Sequence, residues 1–254
     1  LLKVMEQEDF IPAAAERPRW NSVELKDVCY DYHHHEEGAR SDSHDDFHLG
    51  PVNLTINKGE VTFIVGGNGS GKSTMSKMLT QHYLPSKGKI YFDDVPVTHK
   101  NRNTYRHEIS SIYSDYYLFK RILGHDDQEV AEIVDQYLSD LGLKDKVAVT
   151  DGKFSTIALS DGQKRRLSLL VALLEDRDLY LFDEWAADQD PSFKHIFYHH
   201  YLSLLKSQGK AVVVITHDDR YFDLADNVVW MESGKITRVT HPNQGVVEKQ
   251  KEVD

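Results

Sequence analysis

The segment Gly66-Gly67-Asn68-Gly69-Ser70-Gly71-Lys72-Ser73-Thr74 constrains this chain more than any other stretch. It fits G-x-x-x-x-G-K-[ST]. It lies between the apolar, β-branched run Val61-Thr62-Phe63-Ile64-Val65 and helix-like sequence from about Gly71 to Gln81. Buried strand, glycine-rich loop and helix, in that order, are what a phosphate-binding loop requires. Its glycines let backbone N–H groups turn inward around phosphate oxygens, and the helix N-terminus adds a favourable dipole. Gly66, Asn68, Gly69, Ser70, Gly71 and Thr74 are therefore candidate nucleotide contacts. Lys72 can reach the β- and γ-phosphates, and the Ser73 hydroxyl can ligate Mg²⁺.

A strand that ends in such a loop needs parallel neighbours, and the sequence supplies them. Leu179 to Phe182 and Ala211 to Ile215 are short continuous apolar runs, the pattern of strands buried on both faces. Helical periodicity is expected over Gln128 to Leu141, Asp161 to Leu174 and Phe193 to Ser207. Val23 to Tyr32 and Phe47 to Asn57 read as two more strands. Val228 to Met231 and Lys235 to Val239 read as a hairpin around Ser233-Gly234. Alternating buried strands and helices predict an α/β fold with a parallel core sheet, and 254 residues suffice for one large domain of that kind. His33 to Asp46 carries three consecutive histidines but no fixed zinc-ligand spacing, so it reads as a solvated polar loop.

Two further groups carry chemistry. Leu179-Tyr180-Leu181-Phe182-Asp183-Glu184 is an apolar strand ending in two acids, and parallel strands present ligand groups at their carboxyl ends. Asp183 is expected to hold Mg²⁺, and Glu184 to polarise an attacking water. Leu159-Ser160-Asp161-Gly162-Gln163 opens a helix 23 residues upstream, counted from Ser160 to Asp183. Ser160 is a good N-cap. Its side chain, the Gly162 backbone and the helix N-terminus form an anion site. His217 ends the strand after Asp183, where it can contact a γ-phosphate.

The charge balance is −11, which repels nucleic-acid phosphates. The longest basic run is only Lys164-Arg165-Arg166, so no nucleic-acid partner is expected. Cys29 is the single cysteine and cannot form an internal disulfide. No apolar stretch reaches the roughly 18 residues that span a bilayer, and the N-terminus lacks a signal-peptide pattern. If the protein serves a membrane, the spanning part is expected elsewhere.

Taken together, these motifs resemble the ATP-binding cassette (ABC) ATPase family over residues 23–240. Leu159 to Gln163 is similar to the family signature LSGGQ, with Asp161 in place of the first Gly. Ala187-Asp188-Gln189-Asp190 matches the D-loop, with Asp190 as its candidate. His217 matches the switch histidine, 34 residues after Asp183. Tyr32 matches the aromatic that stacks on adenine, with Tyr30 as competitor. The resemblance implies an α/β P-loop NTPase cassette with a mainly parallel core sheet, an N-terminal antiparallel β subdomain and a helical signature subdomain over about 94–165. Residues 1–22 would be a linker from an upstream transmembrane domain, and 241–254 a C-terminal tail.

It further implies ATP and Mg²⁺ as cofactors, and Glu184, His217 and Lys72 as catalytic residues. Two copies would form a head-to-tail homodimer, with ATP between the P-loop of one and Ser160, Gly162 and Gln163 of the other. One departure stands out: Ser114-Asp115 occupies the place of the family's Mg²⁺-contacting Gln, so either residue is a metal candidate. That departure, with Asp183 to Pro191 and Thr216 to Phe222, is similar to the branch that exports cyclic peptides and siderophores of the syringomycin, pyoverdine and microcin type. An exporter motor at the cytoplasmic face of the inner membrane is the expected role. The alternatives are an importer ATPase subunit and a soluble ABC ATPase.

Overall fold

The structure, a computed structural model, describes residues 17–32, 47–120 and 128–242. The His-rich loop 33–46 lies outside the described residues, as do most of the expected linker and tail. The elements run β1 (Ser22–Asp31), β2 (His48–Asn57), β3 (Val61–Val65), α1 (Lys72–Leu79), β4 (Lys87–Phe92), β5 (Val95–Pro96), α2 (Arg102–Arg106), β6 (Ile109–Ile112) and α3 (Gln128–Asp140). They continue with β7 (Val149–Thr150), β8 (Lys153–Phe154), α4 (Asp161–Glu175), β9 (Leu179–Asp183), α5 (Pro191–Ile196), α6 (Leu202–Ser207), β10 (Ala211–Ile215), β11 (Asn227–Glu232) and β12 (Lys235–Thr240).

A six-stranded sheet, ordered β12-β11-β3-β10-β9-β6, forms the centre. All its pairings are parallel except β11–β12. β3, β9 and β10 are buried at every position. Because strand side chains alternate between faces, each of these strands feeds two cores. Tyr180 and Phe182 pack on one side with Leu167, Leu170 and Trp185. Leu179 and Leu181 pack on the other with Met75, Met78 and Val23. A second sheet, β2-β1-β4-β5, is antiparallel throughout and covers this latter side. The expected α/β architecture and antiparallel subdomain are thus both present. The hairpin β11–β12 turns at Ser233 and Gly234, both left-handed (φ 47° and 78°), as tight hairpin turns demand.

The mixed stretch that carries the expected helical subdomain also contributes β6 to the central sheet beside β9. Two details differ from the sequence expectation. The expected helix Phe193–Ser207 begins at Pro191 and passes through a π-helical turn, Phe197–Tyr201, between α5 and α6. Within the expected linker, Trp20 is 2% exposed and meets Phe92 edge-on at 5.2 Å. The packed unit therefore reaches back to Trp20.

Candidate functional site

The loop between β3 and α1 is shaped by its glycines. Gly66 has φ 156°, and a Cβ there would lie 2.2 Å from the Met231 carbonyl oxygen. Gly71 is the N-cap of α1, where no side chain caps and no acid occupies the first turn. That helix end therefore keeps its positive pole for an anion. Lys72 Nζ, mostly buried, donates to the carbonyls of Gly66 (2.8 Å) and Gly67 (3.0 Å), folded across the loop it serves. Asn68 to Thr74 line a pocket of about 330 Å³ together with Tyr32, Phe47 and Glu184. Ser73 is exposed there, whereas Thr74 is buried and its hydroxyl pairs with the Tyr32 hydroxyl at 3.1 Å.

Two carboxylates end β9 in different surroundings. Asp183 is 6% exposed. Burial first, then the charges of Glu184 and Asp115, push its carboxyl up to about 6, against the pull of Lys72. Glu184 takes the left-handed conformation, φ 51°, which costs a non-glycine residue about 1–2 kcal/mol. Its N–H donates to the Ile215 carbonyl at 3.0 Å. One carboxylate oxygen lies 3.0 Å from His217 Nε2. Glu184 thereby lines both the P-loop pocket and the neighbouring pocket that holds His217, Thr216 and Asp218. Thr216 is buried, bonded to the Tyr198 hydroxyl at 2.8 Å, and accepts from the Asp218 N–H at 3.0 Å, which fixes the backbone on either side of His217.

The charges of Glu184 and Asp115 reach Asp183, and Lys72 opposes them; carboxylate oxygens suit a hard cation. No cluster of three or more His, Cys, Asp or Glu side chains fit to hold a metal occurs among the described residues. A hydroxyl, a carboxylate and phosphate oxygens form the donor set that P-loop sites use instead. Ser114 and Asp115 are both exposed in the turn after β6, and it is Asp115 whose charge reaches Asp183.

Tyr30 and Tyr32 divide their duties. Tyr30 stacks on Tyr83 at 4.8 Å and 5°, while Tyr32 faces the P-loop pocket. Phe47, which the sequence reading passed over, lines that pocket too, 6.3 Å from Tyr32 between ring centres. The signal is the strand register: Asp31 pairs with His48, so residues 32 and 47 are neighbours across the pair.

The Leu159–Gln163 segment is not in this pocket. Ser160 caps α4 in a reciprocal capping box with Gln163. The Gly162 carbonyl accepts from Gln189 Nε2 at 3.1 Å. Asp190 caps α5, accepting from the Phe193 N–H at 3.0 Å, and pairs with Arg166 at 2.5 Å. These two contacts, the backbone bond first, hold its carboxyl below the usual range. The basic run is largely consumed internally: Lys164 pairs with Asp161, Arg165 with Asp188 and Arg166 with Asp190.

Comparisons with known proteins bear on the family and the fold. The family model described as ABC transporter matches residues 49–187. The ATP-binding protein SyrD of Pseudomonas syringae pv. syringae is 46% identical over 220 residues, covering 85% of this chain and 38% of SyrD. The alpha-hemolysin translocation ATP-binding protein HlyB of Escherichia coli is 29% identical over 201 residues, covering 74% of this chain and 28% of HlyB. This chain thus spans well under half the length of either relative. Among solved structures, the dimeric bacterial ABC transporter cassette MJ0796 superposes with a TM-score of 0.72 at 22% identity, covering 87% of this chain and 98% of that one. With more than half its length matched by the family model, the chain belongs to the ABC transporter family.

Proposed function

We propose that this chain is the ATP-hydrolysing motor domain of an exporter for a peptide-like or siderophore-like cargo. One observation carries the hydrolytic reading. Glu184 reaches the P-loop pocket from the end of β9 while hydrogen-bonded to His217. The reading as an exporter of this cargo is supported by the 46% identity to SyrD and by the Ser114-Asp115 pair. A bound nucleotide draws Lys72 from the Gly66 and Gly67 carbonyls onto its phosphates, and Tyr32 stacks on the base with Phe47 beside it. Ser73 and Asp183 would hold Mg²⁺, with Asp115 a further carboxylate whose charge reaches Asp183; the ion would supply charge neutralisation at the phosphate oxygens. Glu184 orients and polarises the attacking water, and His217 holds Glu184 in place on the γ-phosphate side.

Ser160, Gly162 and Gln163 are absent from their own chain's pocket. A second copy supplies them, each P-loop facing the partner's α4 N-terminus. No helix among the described residues is long and apolar enough to cross a membrane. In the proposed role, which the identity to SyrD supports, force is passed to a transmembrane domain. In the length by which SyrD and HlyB exceed this chain there is room for one. The motor then works at the cytoplasmic face of the inner membrane. Lys72→Ala tests the reading. Calorimetric titration is expected to show ATP affinity reduced by about 1.5–3 kcal/mol for each lost charged hydrogen bond, and hydrolysis is expected to fall to background. Unchanged affinity removes the P-loop assignment.

A further inference from the structure

We propose that Arg165 is a positioning residue for hydrolysis: from α4 it fixes the backbone of Glu184, and with it the carboxylate that faces the P-loop pocket. The inference rests on the reading of Glu184 as the hydrolytic carboxylate.

Glu184 is left-handed, a conformation its own side chain disfavours, so its neighbours must impose it. Its N–H is held by the Ile215 carbonyl of β10. Its carbonyl accepts from the Ala187 N–H within the turn (3.1 Å) and from Arg165 Nη1 (3.0 Å). Of these three ties, Arg165 alone comes from a helix. The same Nη1 reaches the Trp185 carbonyl at 3.3 Å, and Nη2 pairs with the Asp188 carboxylate at 2.7 Å. In return the Trp185 indole N–H donates to the Arg165 carbonyl at 2.9 Å. Trp185 is itself buried against Phe193 and Phe197.

The Arg165 side chain is only 9% exposed, and a buried cation needs its donors met. Here they are met by three residues of one short loop, Glu184, Trp185 and Asp188. A planar guanidinium spans such a set; a lysine ammonium, a point charge on a flexible stem, does not. Arg165 lies five residues after the Ser160 cap. It therefore places the hydrolytic carboxylate under the control of the helix whose first turn caps the partner's nucleotide.

The test compares wild type, Arg165→Met, Arg165→Lys, Glu184→Gln and the double variant Arg165→Met/Glu184→Gln. The measurements are Mg-ATP affinity and single-turnover ATP hydrolysis. Arg165→Met is expected to keep its affinity and lose hydrolysis by on the order of 10²-fold, the cost of a misplaced reacting group. Arg165→Lys restores only part of the rate. In the Glu184→Gln background Arg165→Met adds no further loss, because it acts through that carboxylate. If Arg165→Met does not fold, Arg165→Lys carries the same comparison. Wild-type hydrolysis in the Arg165 variants, or an equal additional loss on top of Glu184→Gln, overturns the proposal while leaving Glu184 intact as the carboxylate. Wild-type hydrolysis in Glu184→Gln overturns the underlying reading instead.

Discussion

Asp183 shows what the site costs at the scale of one residue. Its carboxyl titrates near 6 instead of 3.8 because burial and two neighbouring carboxylates outweigh Lys72. The folded state therefore binds more protons than the unfolded state between those values, and stability of the nucleotide-free protein falls as pH rises through that window. At about 1.4 kcal/mol per pKa unit the penalty above pH 6 is about 3 kcal/mol. Asp183→Asn removes the charge at constant shape. It should melt above wild type at pH 7.5 without nucleotide, with the advantage vanishing toward pH 4, and it should bind Mg-nucleotide more weakly. A melt unchanged by the substitution at every pH contradicts this account. The two tyrosines make a second contrast. Tyr32→Ala should weaken ATP and GTP alike by about 1–3 kcal/mol, because stacking reads a ring face. Tyr30→Ala should lower the melting temperature and spare affinity, since Tyr30 is stacked on Tyr83; competitive titration of both variants separates them. Sequence alone singled out Lys72, Ser73, Asp183, Glu184 and His217 as candidates, because each sits at a fixed place relative to a strand end. It missed Phe47 and Arg165, whose roles depend on strand register and helix–loop packing that no local pattern encodes.

Among the elements, the strands that carry the site were the easiest to read. β3, β9 and β10 are continuous apolar runs because both of their faces are buried. β4 was not legible: Lys87-Gly88-Lys89 opens it with three exposed residues, and it exists by pairing antiparallel with β1. β6 is only four residues long and gains its place from β9. The π-helical turn was equally hidden. Its ring-rich sequence Phe197-Tyr198-His199-His200-Tyr201 fits a regular helix, and packing of Phe197, Tyr198 and Tyr201 into the core decides otherwise. Asp190 is the stop and start signal between the loop after β9 and this helix, with Pro191 in the first turn. Asp190→Ala should destabilise the protein by about 0.5–2 kcal/mol, the range for a lost N-cap. Urea unfolding measures it, and an unchanged midpoint would show that the Arg166 pair and the cap contribute nothing.

On the scale of the whole molecule, the chain carries two half-sites that do not meet. The P-loop pocket, with Lys72, Ser73 and Glu184, lies at the carboxyl end of the parallel sheet. Ser160 and Gln163 cap α4 outside it. In the proposed arrangement two copies in head-to-tail contact would complete both sites at once, and hydrolysis at Glu184 would then release them. The central claim is that ATP joins two copies across these half-sites and that Glu184 ends the contact. Light scattering behind gel filtration measures it most directly, on Glu184→Gln with Mg-ATP, beside wild type and the double variant Glu184→Gln/Ser160→Arg. The account predicts a dimer with trapped ATP for Glu184→Gln, a monomer for wild type after turnover, and a monomer for the double variant, whose bulky cation blocks the shared face. Glu184→Gln that retains ATP yet stays monomeric would contradict it.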